Sequence, residues 1–213
     1  IKLMKSLAFI PARGGSKGLP NKNIKNLLGK PLINYSIESA KTSSRIDHIV
    51  VSTDCDEIAG ITRESGVEVL YRPEEVSNDE SKTIDTLNFH YDFLKDYDII
   101  VILQPTSPLR PNDLIDECIN EFLIGDYSNL VTGYYCKFQE FGSHNNIRRQ
   151  DVKGFFYDDG SLYILTPSLI KKNQWSGDNI KKIVNKRQFT FEIDDEIDFL
   201  ILEQLIKNYG QKF

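Results

Sequence analysis

The chain has 213 residues, 26 Lys and Arg against 31 Asp and Glu, and a hydrophobic share of 40%. This is enough apolar material for one sizeable core, which excludes disorder and collagen-like repeats and makes a single domain over residues 1–213 the economical reading. A formal charge of -5 argues against broad nucleic-acid binding, yet leaves room for a small basic pocket facing an anionic substrate. No apolar run approaches the roughly 20 residues that span a bilayer, and the short run from Ser6 to Pro11 is followed by Arg13 without a cleavage-like segment, so a cytoplasmic protein free of the membrane is expected. Cys55, Cys118 and Cys136 are far apart and form no C-x-x-C pair; they read as buried thiols, neither a disulfide framework nor a zinc site.

Strand-like apolar runs alternate with helix-period segments, the pattern of an α/β sheet covered by helices on both faces. Ser6 to Ala12 is the first strand. After a glycine-rich turn, Pro31 opens a helix, where its missing N–H costs least. His48 to Ser52 is β-branched and extended, Asp56 to Ser65 helical, Val67 to Leu70 extended, and Ser81 to Leu94 helical. Asp98 to Leu103 (DIIVIL) reads as a strand buried on both faces. Pro111 to Ile124 places Leu114, Ile115, Cys118, Ile119, Phe122 and Leu123 on one helical face, and Asn129 to Tyr135 is the next strand. Periodicity fails from Cys136 to Asp159, which is expected to leave the main sheet. Gly160 to Leu165 and Gln188 to Ile193 read as strands, the latter feeding a helix from about Asp195 to Lys207 with Ile197, Leu200, Ile201 and Leu205 on its buried stripe.

The chemistry concentrates in the segment IPARGGSKGLPNKN, residues 10–23. A strand ending in Gly14, Gly15 and Gly18 brings backbone N–H groups against phosphate oxygens, and Arg13, Lys17 and Lys22 add cations suited to a polyphosphate, with Ser16 between them. The spacing is neither a Walker A loop nor G-x-G-x-x-G. The bland alternative is a surface turn with solvated cations. The loop LQPTSPLR, Leu103 to Arg110, follows the DIIVI strand, so in an open α/β sheet it faces the same crevice as the glycine turn; Gln104 there offers a donor and an acceptor to orient a sugar. Ser107 and Arg110 equally suit a loop that starts the next helix. In FEID, Glu192 and Asp194 stand two apart on the expected strand, so both carboxylates point to one face and can share Mg²⁺. Asp195 and Glu196 fit a helix start stabilised by the helix dipole.

IPARGGSKGLPNKNI, followed in order by GKPLINYSIESA, VVSTD, YRP, LQPTSPLR and a late EID, resembles the N-acylneuraminate cytidylyltransferases, the CMP-sialic acid synthetases and their bacterial nonulosonic acid relatives. The resemblance implies a three-layer, Rossmann-like nucleotidyltransferase fold and transfer of CMP from CTP to the anomeric hydroxyl of an acidic sugar, with release of pyrophosphate, in lipopolysaccharide or capsule biosynthesis. It implies that Ala12, Asn23, Arg72 and Thr83 help Arg13, Gly14, Gly15, Ser16 and Lys22 hold the nucleotide; that Arg13, Lys17, Lys22 and Asp194 are catalytic; and that Mg²⁺ sits on Asp194 and Glu192. Glu192 departs from the family's Asp-x-Asp. Gln104, Arg149 and Tyr163 become acceptor-sugar contacts, and the 136–159 excursion a homodimer surface from which Arg149 reaches the neighbour's pocket. Gly142 in place of a cation and Asp159 in place of an amide leave the acceptor pocket more negative than a typical sialic acid site, so an acceptor other than N-acetylneuraminate is expected. A nucleotidyltransferase acting on an eight-carbon ulosonic acid and a non-catalytic nucleotide sensor are the competing readings.

Overall fold

In a computed structural model of the protein, residues 4–16 and 18–209 are described. The elements are β1 (Ser6–Pro11), a short hairpin of β2 (Asn26–Leu27) and β3 (Lys30–Pro31), α1 (Leu32–Thr42), β4 (His48–Thr53), α2 (Asp56–Glu64), β5 (Glu68–Tyr71), α3 (Thr83–Phe89), α4 (Tyr91–Leu94), β6 (Ile99–Ile102), α5 (Leu114–Leu123), β7 (Asn129–Cys136), β8 (Phe155–Leu165), α6 (Pro167–Lys171), β9 (Ile180–Val184) and α7 (Glu196–Tyr209). The main sheet has the order β5-β4-β1-β6-β8-β7-β9. β8 runs antiparallel to both its neighbours, and the other pairings are parallel.

The period of two along β1 explains the layering. Ala8 and Ile10 point into a core with α1, α2 and α5, whereas Leu7 and Phe9 point into a second core with α3, α4 and α6. β6 is buried along its whole length, as a strand covered on both faces must be. A third cluster, Leu19, Leu27, Leu32, Tyr35, Leu109, Ile193, Phe199 and Leu202, seats α7 against the segment that follows the glycine turn.

Five expectations are corrected. Pro31 stands in β3, one residue before α1. The segment 188–193 is not a strand: Arg187–Phe189 is a 3-10 turn and the rest is irregular, while the strand that completes the sheet is β9, whose Lys-rich IKKIV lacks the apolar alternation that would announce it. On α7 the buried residues are Phe199 and Leu202, with Leu205 and Ile206 partly buried; Ile197, Leu200 and Ile201 face outward. The irregular excursion is shorter than 136–159, because β8 begins at Phe155 and pairs back on β7 (Cys136 opposite Phe155) across a bulge at Val131 to Gly133. The expected helix 81–94 is also broken in two at His90, whose ring turns inward to Ser52. No helix among the described residues is long and apolar enough to cross a membrane. Cys118 and Cys136 are buried and Cys55 half-buried, all as free thiols.

Candidate active site

The parallel strands β1, β4 and β6 deliver three loops to one edge of the sheet, where two connected cavities lie. One, of about 180 Å³, is lined by Arg13, Ser16, Lys22, Asn23, Arg72, Thr83, Thr86 and Gln104. The other, of about 820 Å³, shares Arg13, Ser16 and Arg72 and adds Gly15, Asp54, Glu74 and Asp79. The glycine turn and LQPTSPLR thus meet in one cleft at the carboxyl ends of the strands, as the sheet topology requires. Lys17 lies outside the described residues.

Local bonding holds the glycine turn in place. Ala12 is buried and its N–H donates to Ser52 O at 2.9 Å, so it shapes the floor. Asn23 Nδ2 donates to Arg13 O at 2.9 Å and fastens the start of the turn to its end. Gly14 N–H donates to Asp54 Oδ1 at 2.8 Å. At Gly18 a side chain is impossible, since a Cβ would stand 2.4 Å from the carbonyl oxygen of Asp194. This close approach brings the 192–195 segment to the turn, and Lys22 completes the junction by donating from Nζ to Ile193 O at 2.8 Å, with Asp194 Oδ1 at 3.6 Å.

Arg72, at the end of β5, is buried; its Nη1 donates to Val76 O at 3.1 Å and to Thr86 Oγ1, while its Nε has no partner among the described residues. Burial disfavours its charge, Asp54 supports it and Arg13 opposes it. Behind it the His90 imidazole, paired with Ser52 Oγ at 2.9 Å, is pushed down to about 4 by burial and then by Arg72, and so is neutral. Arg72 is therefore no surface residue, and Thr86, behind the first turn of α3, is its anchor.

The carboxylates part company. Asp194 is exposed beside Lys22. Glu192 is turned toward Gly160, where a Cβ would stand 1.6 Å from its Oε1, and its pKa is raised to about 7 by burial first, then by Asp194, Asp158 and Asp159, with Ser107 pulling the other way. The segment is not a strand, so the alternation expected to align the pair does not apply, although the two carboxylates remain close enough for Asp194 to act on Glu192. Among the described residues no three His, Cys, Asp or Glu side chains gather to hold a metal. Asp195 Oδ1 accepts from the N–H groups of Ile197 and Asp198, and Asp198 Oδ2 from those of Asp194 and Asp195, a reciprocal cap of α7 that matches the helix-start reading.

On the expected acceptor side, Gln104 lines the cleft, but Arg149 and Tyr163 line neither cavity. Tyr163 is a core residue whose hydroxyl donates to Asp158 Oδ2 at 2.6 Å and whose ring packs edge-on against Trp175. Arg149 lies exposed over the Phe138 ring on the excursion. Asp159 is buried and accepts from Thr132 Oγ1, Asn185 Nδ2 and Ser161 N, so its carboxylate is held by the scaffold and lines neither cavity. It shares this interior with Arg110, whose pKa burial lowers to about 9 and whose guanidinium donates to the carbonyls of Gln104 and Ser161 and to Ser36 Oγ. Arg110 is thus part of the scaffold, as the plainer reading had it, and fixes the main chain of Gln104. Asp54, Asp79 and Thr86 are cleft residues that sequence reasoning passed over; VVSTD already held the first, while nothing in SNDE distinguished Asp79 from solvated neighbours.

The cytidylyltransferase family matches residues 7–170, most of the sheet and both loops of the cleft. The chain belongs to that family. As a cytidylyltransferase it is similar to the N-acylneuraminate cytidylyltransferase of Streptococcus agalactiae serotype III (strain NEM316), at 32% identity over 229 residues covering 97% of this chain and 55% of that protein. It is also similar to the post-translational flagellin modification protein B of Campylobacter coli, at 32% identity over 94% of each chain. The chain spans about half the length of the curated N-acylneuraminate cytidylyltransferases it matches. Among solved structures, a CMP:2-keto-3-deoxy-manno-octonic acid synthetase complexed with CTP shares the fold, with a TM-score of 0.77 at 14% identity over 96% of this chain and 99% of that one.

Proposed function

We propose that this cytidylyltransferase transfers CMP from CTP to the anomeric hydroxyl of a sialic-acid-like acidic sugar. The observation that carries the reading is the meeting of Arg13, Ser16, Lys22, Asn23, Arg72, Thr83 and Gln104 around one cleft. The sugar oxygen forms a bond to the α-phosphorus, the bond from that phosphorus to the bridging oxygen breaks, and pyrophosphate leaves with the electron pair while the hydroxyl proton passes to solvent. Catalysis of such a transfer is chiefly positioning and charge neutralisation. In this reading Arg13, Lys17 and Lys22 neutralise the triphosphate, Gly14, Gly15, Ser16, Ala12 and Asn23 shape its cradle, Arg72 and Thr83 hold the nucleotide, and Gln104 orients the sugar.

Mg²⁺ bound to triphosphate oxygens would neutralise developing charge and assist ionisation of the attacking hydroxyl. Exposed Asp194, beside Lys22, fits its role as the first protein ligand, and Glu192, whose carboxyl feels the Asp194 charge, would stand beside it as the second. We assign the enzyme to the cytoplasm, with no nucleic-acid or membrane partner, and to a homodimer formed through the β7–β8 arm, where Phe138 is 67% and Phe141 101% exposed. A partner's Arg149 would then complete the acceptor side, in keeping with its distance from the cavities of its own chain.

The test is pyrophosphate release with CTP and Mg²⁺ against N-acetylneuraminate, legionaminic and pseudaminic acids and an eight-carbon ulosonic acid. Release with a nine-carbon acid and CTP, but not with ATP, is expected. Release only with the eight-carbon acid would reassign the acceptor, and none with any sugar despite CTP binding would favour a sensor.

A further inference from the structure

The groups expected to receive phosphate already carry carboxylates of the chain itself. Arg13 Nη1 lies 2.7 Å from Asp79 Oδ1, with both side chains about one-third exposed, and Gly14 N–H is engaged by Asp54. Asp54 sits on the floor at the end of β4. Asp79 belongs to the opposite wall, the loop between β5 and α3. That loop is organised rather than slack. Glu74–Val76 forms a 3-10 turn, Ser77 Oγ donates to Pro73 O at 2.8 Å, and Asn78 Oδ1 accepts from the N–H groups of Glu80 and Ser81 and from Ser81 Oγ. Asp79 is therefore presented to Arg13 by a built turn, in a loop that carries Glu74, Glu75 and Glu80 along with the cations Arg72 and Lys82 at its two ends.

We propose that Asp79 is a built-in competitor for the polyphosphate at Arg13, setting the affinity of the cleft below what its cations alone would give. The inference rests on the triphosphate reading of the site. A carboxylate and a phosphate oxygen seek the same guanidinium face, so the incoming ligand must displace Asp79. The same carboxylate returns to Arg13 as pyrophosphate departs and hastens its release. Because the ion pair is partly solvated, displacement costs little, and a ligand with several charged contacts overcomes it. A simple solvated ion pair would instead leave binding indifferent to Asp79.

The test is titration of the intact protein with CTP and, separately, with inorganic tripolyphosphate. Wild type, Asp79→Asn, Arg13→Met and the double variant are compared by calorimetry. Asp79→Asn is expected to tighten both ligands about three- to tenfold at low salt, with most of that gain lost in the Arg13→Met background. Unchanged or weaker binding in Asp79→Asn overturns the proposal, as does equal tightening with and without Arg13, which would be general charge repulsion. Tripolyphosphate binding without CTP binding would count against the nucleotide reading while still deciding the role of Asp79. Failure of both ligands to bind overturns both.

Discussion

Lys22 shows how one side chain serves both the fold and the site. Its motif marks it as a phosphate cation, yet its side chain is only 13% exposed and its ammonium is spent partly on Ile193 O. Lys22→Ala is therefore expected to lower CTP turnover about a hundredfold or more and also to cost about 1–2 kcal/mol of stability, measured by pyrophosphate release and by urea unfolding; full activity would remove Lys22 from the site. Asp194→Asn should suppress turnover severely while Asp195→Asn stays near wild type, because the second carboxylate caps α7; equal losses would mean that the metal face is misassigned. His90 predicts a pH dependence. The unfolded chain takes up its proton near pH 6.5 and the folded chain only near 4, so stability is lost as pH falls from about 6.5 to 4 and levels off below. The loss is of order 1–3 kcal/mol, and His90→Gln should flatten that part of a urea-midpoint profile. Motif residues were legible because a turn of glycines and cations after a strand has few other uses. Asp79 and Thr86 were not, since a solvated residue and one facing Arg72 look alike until the chain folds back.

The strands that alternate apolar residues on both faces, β1, β4 and β6, were readable within a residue or two, whereas β9 and α7 were not. IKKIV hides its pairing behind lysines, which lie along the sheet edge with the ammonium groups of Lys181 and Lys182 over the rings of Tyr127 and Phe156. On α7 nearly every turn offers apolar residues on two sides, so the buried stripe is decided by what it meets, here Leu19, Leu27 and Ile193. The helix start is held by Asp195, and Asp195→Ala is expected to cost about 1 kcal/mol in thermal or urea unfolding while leaving turnover nearly intact. At the start of the sheet-embedded part of β8, Gly160 has φ of 64° and packs against Glu192. Gly160→Ala therefore meets both left-handed strain and a clash, and should destabilise by about 2 kcal/mol or more; a variant as stable as wild type would show that Glu192 is not seated there.

The arm of β7 and β8 beyond the bulge carries Tyr135, Phe138, Phe141 and Phe155 outward, the apolar rings on which the proposed dimer rests. Joint replacement of Phe138 and Phe141 by Asp is expected to shift a dimer to a monomer in light scattering at micromolar concentration, with the far-ultraviolet spectrum unchanged; a wild-type monomer would refute the assembly. The strand order has a temporal consequence. β1, β4, β5 and β6 pair among themselves from the first half of the chain, but β6 finds its other neighbour only in β8, Ile100 opposite Leu165, and the Lys22 to Ile193 junction forms across still greater separation. Loop-closure entropy makes such late pairings slow. During synthesis the glycine turn thus emerges before the segment that packs on Gly18 and accepts from Lys22, so the cleft takes its final shape only after Ile193 and Asp194 have docked.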